Sequence, residues 1–314
     1  MTHFLSILET PRERLVSILR RAVELRPAAR GVLAPEAPQR RLLAGKTLAC
    51  LFSKPSLRTR VSFEQAMRRL GGTAMSLHQG EIGLGAREAP EDAARVLSGM
   101  VDAIMARVSS HETLTRLAAG STVPVINGLS DRAHPAQALA DMLTLVDEFS
   151  SGDPEGLRGR TVAFVGDGNN VARSVAAACG KLGMVFVLCA PEGYGIEEAW
   201  VERAAAQAPG LDFRRVAEPA EAVRGADAVY CDTFVSMGQE AETERRLRDF
   251  ARFQVNEELM AHAPPHAVVL HCLPAQRGVE ITNGVMDGAR SRVFQQAHNR
   301  LDAQVGLLAE LLGV

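Results

Sequence analysis

Five short clusters, each at the end of an apolar run or just after one, hold the residues that could do chemistry. The first, Ser56-Leu57-Arg58-Thr59-Arg60, follows the run LACLFSKP and opens an amphipathic segment reaching Leu70. Pro55 disfavours helix at Lys54, and Ser56 offers an N-cap oxygen, so a helix is expected to begin here. Its unpaired N–H groups and positive dipole end, with the guanidinium and hydroxyl donors of Arg58, Thr59 and Arg60, suit a phosphate. A capped surface helix with solvated arginines would look the same if this cluster stood alone. Four more clusters stand in equivalent places: Arg107 ends AIMAR, His134-Pro135-Ala136-Gln137 follows VINGLSD, Asp232 ends AVYCD ahead of Ser236-Met237-Gly238, and His271-Cys272-Leu273-Pro274 ends AVVLHCLP. Each has an ordinary reading by itself, as a snorkelling arginine, a helix start, a polar loop or a buried strand with an inert thiol. Together they line one edge, the carboxyl ends of strands, where open α/β sheets bind ligands.

The elements that must hold these clusters follow from periodicity. Apolar runs alternate with longer amphipathic segments, the pattern of parallel strands joined by crossover helices. The fold class expected is α/β, with two doubly wound parallel-sheet domains. In the first half, strands are expected at Thr47–Phe52, Thr73–Leu77, Ala103–Val108 and Val123–Ile126. Helices are expected near Ser56–Leu70, Pro90–Met100, Glu112–Ala119 and Pro135–Phe149, after an opening helix capped by Thr10 and running to about Leu25. The stretch Ser150–Gly156 concentrates turn formers, so the boundary is placed there, dividing the chain into 1–149 and 150–314. The second half offers strands at Thr161–Val165, Val185–Cys189, Asp212–Val216, Ala228–Cys231 and Ala267–Leu270. A final helix, about Arg300–Leu312, is too near the end to start another unit, and residues from about 298 are expected to return to the first domain.

Composition sets limits on function. The 314 residues are 46% hydrophobic and 23% charged, with a formal net charge of −2. That balance is globular, and it gives no general attraction to nucleic acid or an anionic membrane. The expectation is therefore no nucleic-acid partner and no membrane association. The cysteines Cys50, Cys179, Cys189, Cys231 and Cys272 are odd in number and form no CxxC pair. Free thiols in a reducing compartment are expected, and with no signal-like N-terminus the location expected is cytoplasmic. No metal is implied, because His271 and Cys272 are adjacent on a strand and should point to opposite sides.

The motifs FSKPSLRTRVSFE, INGLSDRAHPAQALADMLTL, FVGDGNNVARS, CDTFVSMGQE, LHCLPA and VFQQAHNR resemble those of the aspartate/ornithine carbamoyltransferases over nearly the whole chain. SxRTR with HPxQ marks the superfamily, and SMG with HCLP marks its ornithine branch. The resemblance implies carbamoyl transfer from carbamoyl phosphate to the δ-amine of L-ornithine, with no cofactor, in a homotrimer. Carried over position by position, it implies that Ser56, Leu57, Arg58, Thr59, Arg107, His134, Gln137, Cys272, Leu273 and Arg300 bind carbamoyl phosphate. Asn170, Asp232, Ser236 and Met237 would bind ornithine, and Arg107, His134, Asp232 and Cys272 would act in catalysis. Cys272 is not expected to be a covalent nucleophile, because direct amine attack needs none.

The sequence departs from the family pattern in places. Leu57 replaces a common threonine, so its backbone N–H must serve. In the loop Gln79–Gly85, Gly83 falls nearest the position of a glutamine that many members contribute, often across a subunit boundary, and that role is left unfilled. Two alternatives within the fold concern the substrate and the reaction: another amine acceptor such as putrescine or N-acetylornithine, or a nicotinamide-dependent dehydrogenase using Gly166-Asp167-Gly168. The dehydrogenase fingerprint lacks its third glycine and leaves SLRTR, HPAQ and HCLP unexplained. A non-catalytic anion sensor is the remaining class, and the intact acceptor-side residues argue against it.

Overall fold

The computed structural model describes residues 3–26, 37–236 and 239–314, apart from the side chain at position 40. It divides into two compact units, residues up to Leu143 with His298–Val314, and Thr144–Ala297. The first unit holds a four-stranded, all-parallel sheet in the order β2-β1-β3-β4, formed by β1 (Thr47–Phe52), β2 (Thr73–His78), β3 (Ala103–Arg107) and β4 (Val125–Leu129). The second holds five parallel strands in the order β7-β6-β5-β8-β9, with β5 (Thr161–Val165), β6 (Val185–Cys189), β7 (Asp212–Arg215), β8 (Ala228–Cys231) and β9 (Val268–His271). In each sheet the order reverses beside the first strand, between β1 and β3 and between β5 and β8. A doubly wound sheet opens a crevice at that switch point.

The central strands are mostly apolar, with Arg107 at the end of β3 as an exception, because helices cover both faces. β3 is buried along its whole length, whereas the edge strand β2 alternates between half-buried and exposed. Phe4 covers the far edge: its N–H donates to Val125 O and its carbonyl accepts from Asn127 N, both at 2.8 Å. The two units repeat one device at the strand starts. Asp102 accepts from Thr47 N and Lys46 Nζ, each at 2.8 Å, and Asp227 accepts from Thr161 N at 2.8 Å and Arg160 Nη1 at 2.7 Å. Each aspartate ties the start of the central strand to the strand that crosses over beside it.

Several local expectations differ from the structure. β4 begins at Val125 and runs to Leu129, because Pro124 has no N–H to give a ladder. Its register slips between Ala106 and Arg107, which leaves Gly128 as the extra residue. A Cβ there would lie 2.5 Å from Met105 Sδ, so a larger residue would require the Met105 side chain to move. The first helix is Arg12–Glu24 with Pro11 as its N-cap, and the Thr10 hydroxyl instead donates to Ser6 O at 2.8 Å. The last helix starts at Val293, seven residues before Arg300. Its first turns bury the polar residues Gln296 and Asn299, which hide the apolar period. Further along, Gly306 lets this helix meet the first one: a Cβ would lie 2.4 Å from Ile18 O and 2.6 Å from Ala22 N. The side chains of Leu15, Ile18, Leu19 and Ala22, on one stripe of the first helix, are fully buried.

Candidate active site

The SxRTR cluster sits as expected on the first turn of the helix Leu57–Arg69, but Ser56 makes no side-chain cap hydrogen bond. Its hydroxyl is not spent on the helix. Leu57 is 74% exposed, so only its backbone can take part in a site here. Thr59 is buried, and its Oγ1 accepts from Arg300 Nη2 at 3.0 Å. Because that bond uses an oxygen lone pair, the Thr59 hydroxyl proton remains a donor.

Arg300 gathers the other groups. Buried on the last helix, it donates through Nη1 to Gln137 Oε1 and makes a long contact of 3.5 Å with His134 Nε2. Gln137 Nε2 in turn donates to Asp141 Oδ1 at 2.8 Å, one helical turn on. Pro135 starts the helix Pro135–Phe149, which brings Gln137 and Asp141 onto one face. Since a guanidinium only donates, His134 Nε2 can only accept from Arg300 in that contact. Burial, and then the charges of Arg300, Arg107 and Arg58, hold His134 well below the ordinary histidine range, so it is a neutral imidazole at pH 7.

Arg107 ends β3 and is 8% exposed. Burial, with the Arg58 charge beside it, lowers its pKa to about 10. Its Nε has no hydrogen-bond partner among the described residues. Three guanidinium groups therefore act on one neutral imidazole at the switch point of the first sheet. The arrangement calls for an anion.

In the second unit the chemistry collects on Asp232, just past β8. Its Oδ1 accepts from Thr233 N at 2.8 Å and from Cys272 Sγ at 2.9 Å, and its Oδ2 accepts from Asn169 Nδ2 at 2.8 Å. Asn170 opens the helix Asn170–Leu182 behind its N-cap Asn169. Ser236 and Gln239 exchange two hydrogen bonds: Gln239 donates its N–H to Ser236 O, and its Oε1 accepts from Ser236 N, both at 3.0 Å. Met237 lies outside the described residues.

His271, at the end of β9, donates from Nε2 to the buried Glu280 Oε1 at 3.0 Å and accepts from Leu273 N at Nδ1, 2.9 Å away. The Leu273 N–H is therefore committed to His271 and cannot serve a ligand. The expectation that His271 and Cys272 diverge is corrected: potential ligand atoms of Asp232, His271 and Cys272 all lie within 4.8 Å of one another. β9 ends at His271 and Leu273 turns at φ 57°, so strand alternation no longer separates the neighbours. Both imidazole nitrogens are already hydrogen-bonded, so metal ligation by His271 would require breaking one of those bonds.

Sequence reasoning missed four residues that shape these clusters: Asn169, Asp141, Glu280 and Arg246. Arg246 is buried, pairs with Asp167, donates from Nε to Phe234 O at 2.6 Å and lies 4.9 Å from the Tyr194 ring centroid. Burial outweighs that partner and raises the Asp167 pKa. Only Asn169 had a readable signal, an asparagine directly before a helix. Asp141 is the i+4 partner of Gln137 on one helix, whereas the contacts of Glu280 and Arg246 join residues from separate elements.

Two doubly wound units, one with an anion-seeking guanidinium cluster and the other with a carboxylate, thiol and amide cluster, have the parts that a two-substrate group-transfer class requires. Residues 2–147 match the aspartate/ornithine carbamoyltransferase carbamoyl-P binding domain, and residues 158–311 match the Asp/Orn binding domain of that family. The chain belongs to the aspartate/ornithine carbamoyltransferase family. It is similar to an ornithine carbamoyltransferase of Methanopyrus kandleri, 49% identical over 317 residues that span 99% of this chain and 97% of the relative. An anabolic ornithine carbamoyltransferase of Pyrococcus furiosus is 50% identical over 276 residues, covering 87% of this chain and 86% of the relative. A solved structure of the Pyrococcus furiosus enzyme superposes with a TM-score of 0.89 at 45% identity, covering 99% of this chain and 97% of that one. Family membership decides against the dehydrogenase reading. Among the described residues no helix is long and apolar enough to cross a membrane.

Proposed function

We propose that this chain transfers the carbamoyl group of carbamoyl phosphate to the δ-amine of L-ornithine, giving L-citrulline and phosphate for arginine biosynthesis. The observation that carries the reading is the convergence of Arg58, Arg107 and Arg300 on neutral His134. The first unit, with Ser56, the Leu57 backbone and Thr59, takes carbamoyl phosphate. The guanidinium groups hold the phosphate and receive its charge as it leaves. His134, as a neutral imidazole, polarises the carbonyl oxygen. Gln137 Oε1, which accepts from Arg300, has a second lone pair for the carbamoyl NH2.

The second unit takes ornithine through Asn170, Asp232, Ser236 and Met237, with Cys272 and the Leu273 carbonyl beside the reacting group. A δ-amine with the lysine reference pKa of about 10.4 is free base in roughly one molecule in a few thousand at pH 7, a cost of about 4–5 kcal/mol. Asp232, fixed by three donors, orients the amine. The C–N bond forms as the C–O bond to phosphate breaks, and the departing phosphate takes up the proton the amine loses. The chain works as a homotrimer in the cytoplasm. Support for a subunit contact comes from Leu57, Val61 and Met75, which expose apolar side chains in the first unit, and support for a reducing compartment comes from the free cysteines.

The test is a citrulline assay with carbamoyl phosphate against ornithine, putrescine, N-acetylornithine and aspartate. Ornithine is expected to be carbamoylated in strong preference to the others. A folded sample that binds carbamoyl phosphate but gives no product with ornithine would overturn the acceptor assignment.

A further inference from the structure

We infer that Asn169 is a positioning residue for the amine acceptor, with one side chain that both starts the helix carrying Asn170 and aims the Asp232 carboxylate. The amide is used at both ends. Its Oδ1 accepts from Val171 N at 2.9 Å and Ala172 N at 3.1 Å, and its Nδ2 donates to Asp232 Oδ2 at 2.8 Å. The amide cannot be reversed. With the NH2 toward the helix, donor would face donor, and oxygen would face a carboxylate. The backbone holds the residue in place: Asn169 N donates to Asp167 O at 2.8 Å, and Asn169 O accepts from Arg173 N at 3.0 Å.

The geometry divides the work on Asp232. Thr233 N and Cys272 Sγ both fall on Oδ1, and Asn169 is the side chain bonded to Oδ2. Without Asn169 the carboxylate keeps its Oδ1 bonds but can swing Oδ2 about them, so its lone pairs no longer point in one direction. Asn169 also fixes where Asn170 begins its helix, so Asp232 and Asn170 are held in one frame. Asparagine is needed because serine, threonine and aspartate can cap a helix but none carries the NH2 that reaches Asp232. Other ionisable groups near Asp232 are His271 at the end of β9, Cys272 just after it, the buried Cys231, and Asp167, which is paired with Arg246 and lies near Arg173.

This inference rests on the proposed use of ornithine, and the test separates the two. Wild type, Asn169→Ser and Asn169→Asp are compared for citrulline formation at varied ornithine and carbamoyl phosphate, for thermal midpoint, and for the pH dependence of kcat/KM for ornithine. Both variants retain a capping oxygen, so the midpoint of Asn169→Ser should stay close to wild type, while that of Asn169→Asp should fall only by the repulsion between the two facing carboxylates. Losing one hydrogen bond to a charged group should lower kcat/KM for ornithine about 10- to 100-fold, with the KM for carbamoyl phosphate unchanged. In Asn169→Asp two carboxylates meet and share a proton, so the acid limb of its profile should move to higher pH, a shift absent from Asn169→Ser. Wild-type ornithine kinetics in both variants, or losses that merely follow a fall in midpoint, would overturn the role of Asn169 alone. Absence of citrulline from the wild type would overturn the acceptor reading and this inference together.

Discussion

Replacing Arg107 by methionine separates the two roles of a buried cation, because the same group should weaken the empty protein and be required by the loaded one. Arg107 is 8% exposed, its Nε has no partner among the described residues, and burial with the Arg58 charge lowers its pKa to about 10. A folded-state pKa below the unfolded one means the charged form is disfavoured by folding. The cost is present in full below pH 10 and is relieved only as pH rises past about 10 toward the ordinary arginine range. At about 1.4 kcal/mol per tenfold change in proton affinity, it amounts to about 3 kcal/mol at pH 7 as an upper bound. Methionine keeps much of the apolar stem and removes the charge, so ligand-free Arg107→Met should be more stable than wild type by about 1–3 kcal/mol. Carbamoyl phosphate at about 100 times its Kd should stabilise wild type by about 2.7 kcal/mol and should do almost nothing for the variant. Urea unfolding at pH 7.5, with and without carbamoyl phosphate, measures both quantities. A ligand-free variant less stable than wild type, or one still stabilised by carbamoyl phosphate, would refute the reasoning.

Two further outcomes follow from named contacts. His134 is held well below the ordinary histidine range by burial and by Arg300, Arg107 and Arg58, so below pH 6.5 the unfolded chain binds a proton that the folded chain refuses. Wild-type stability should fall as pH drops below 6.5, by up to about 1.4 kcal/mol per pH unit from this group, and His134→Gln should lose that part of the slope. Equal slopes in the two proteins by urea unfolding at pH 5.5–7.5 would contradict it. Gly306→Ala should destabilise by about 1–3 kcal/mol despite alanine's better helix propensity, because its Cβ would meet Ile18 O at 2.4 Å. A raised urea midpoint would show that the two helices can separate without cost.

Much of the fold is legible because its signals are local. β1, β5, β6 and β8 have the ends read from their apolar runs, and the helix Pro135–Phe149 starts at its proline. The errors come where a distant partner overrides the local signal. Ser56 precedes its helix as a cap should yet makes no cap bond, and the final helix begins in residues whose buried polar side chains are satisfied by β8 and β9. There Gln296 accepts from His271 N at 2.8 Å and donates to Tyr230 OH at 3.1 Å.

The sequence by itself determined the α/β class, the alternation of strands and helices, and the placement of SLRT, HPAQ, CD and HCLP at strand ends. Each of these depends on the periodicity or backbone preference of a few neighbouring residues. Only the tertiary structure decided that Arg300 donates to Thr59 and Gln137, that Asn169 holds Asp232, and that His271 and Cys272 do not diverge. Those contacts join residues 241, 163, 63 and 40 positions apart, as in Arg300–Thr59, Arg300–Gln137, Asn169–Asp232 and Cys272–Asp232. No local propensity records such a pairing, because it exists only after strand order and helix packing have brought the two chain segments together.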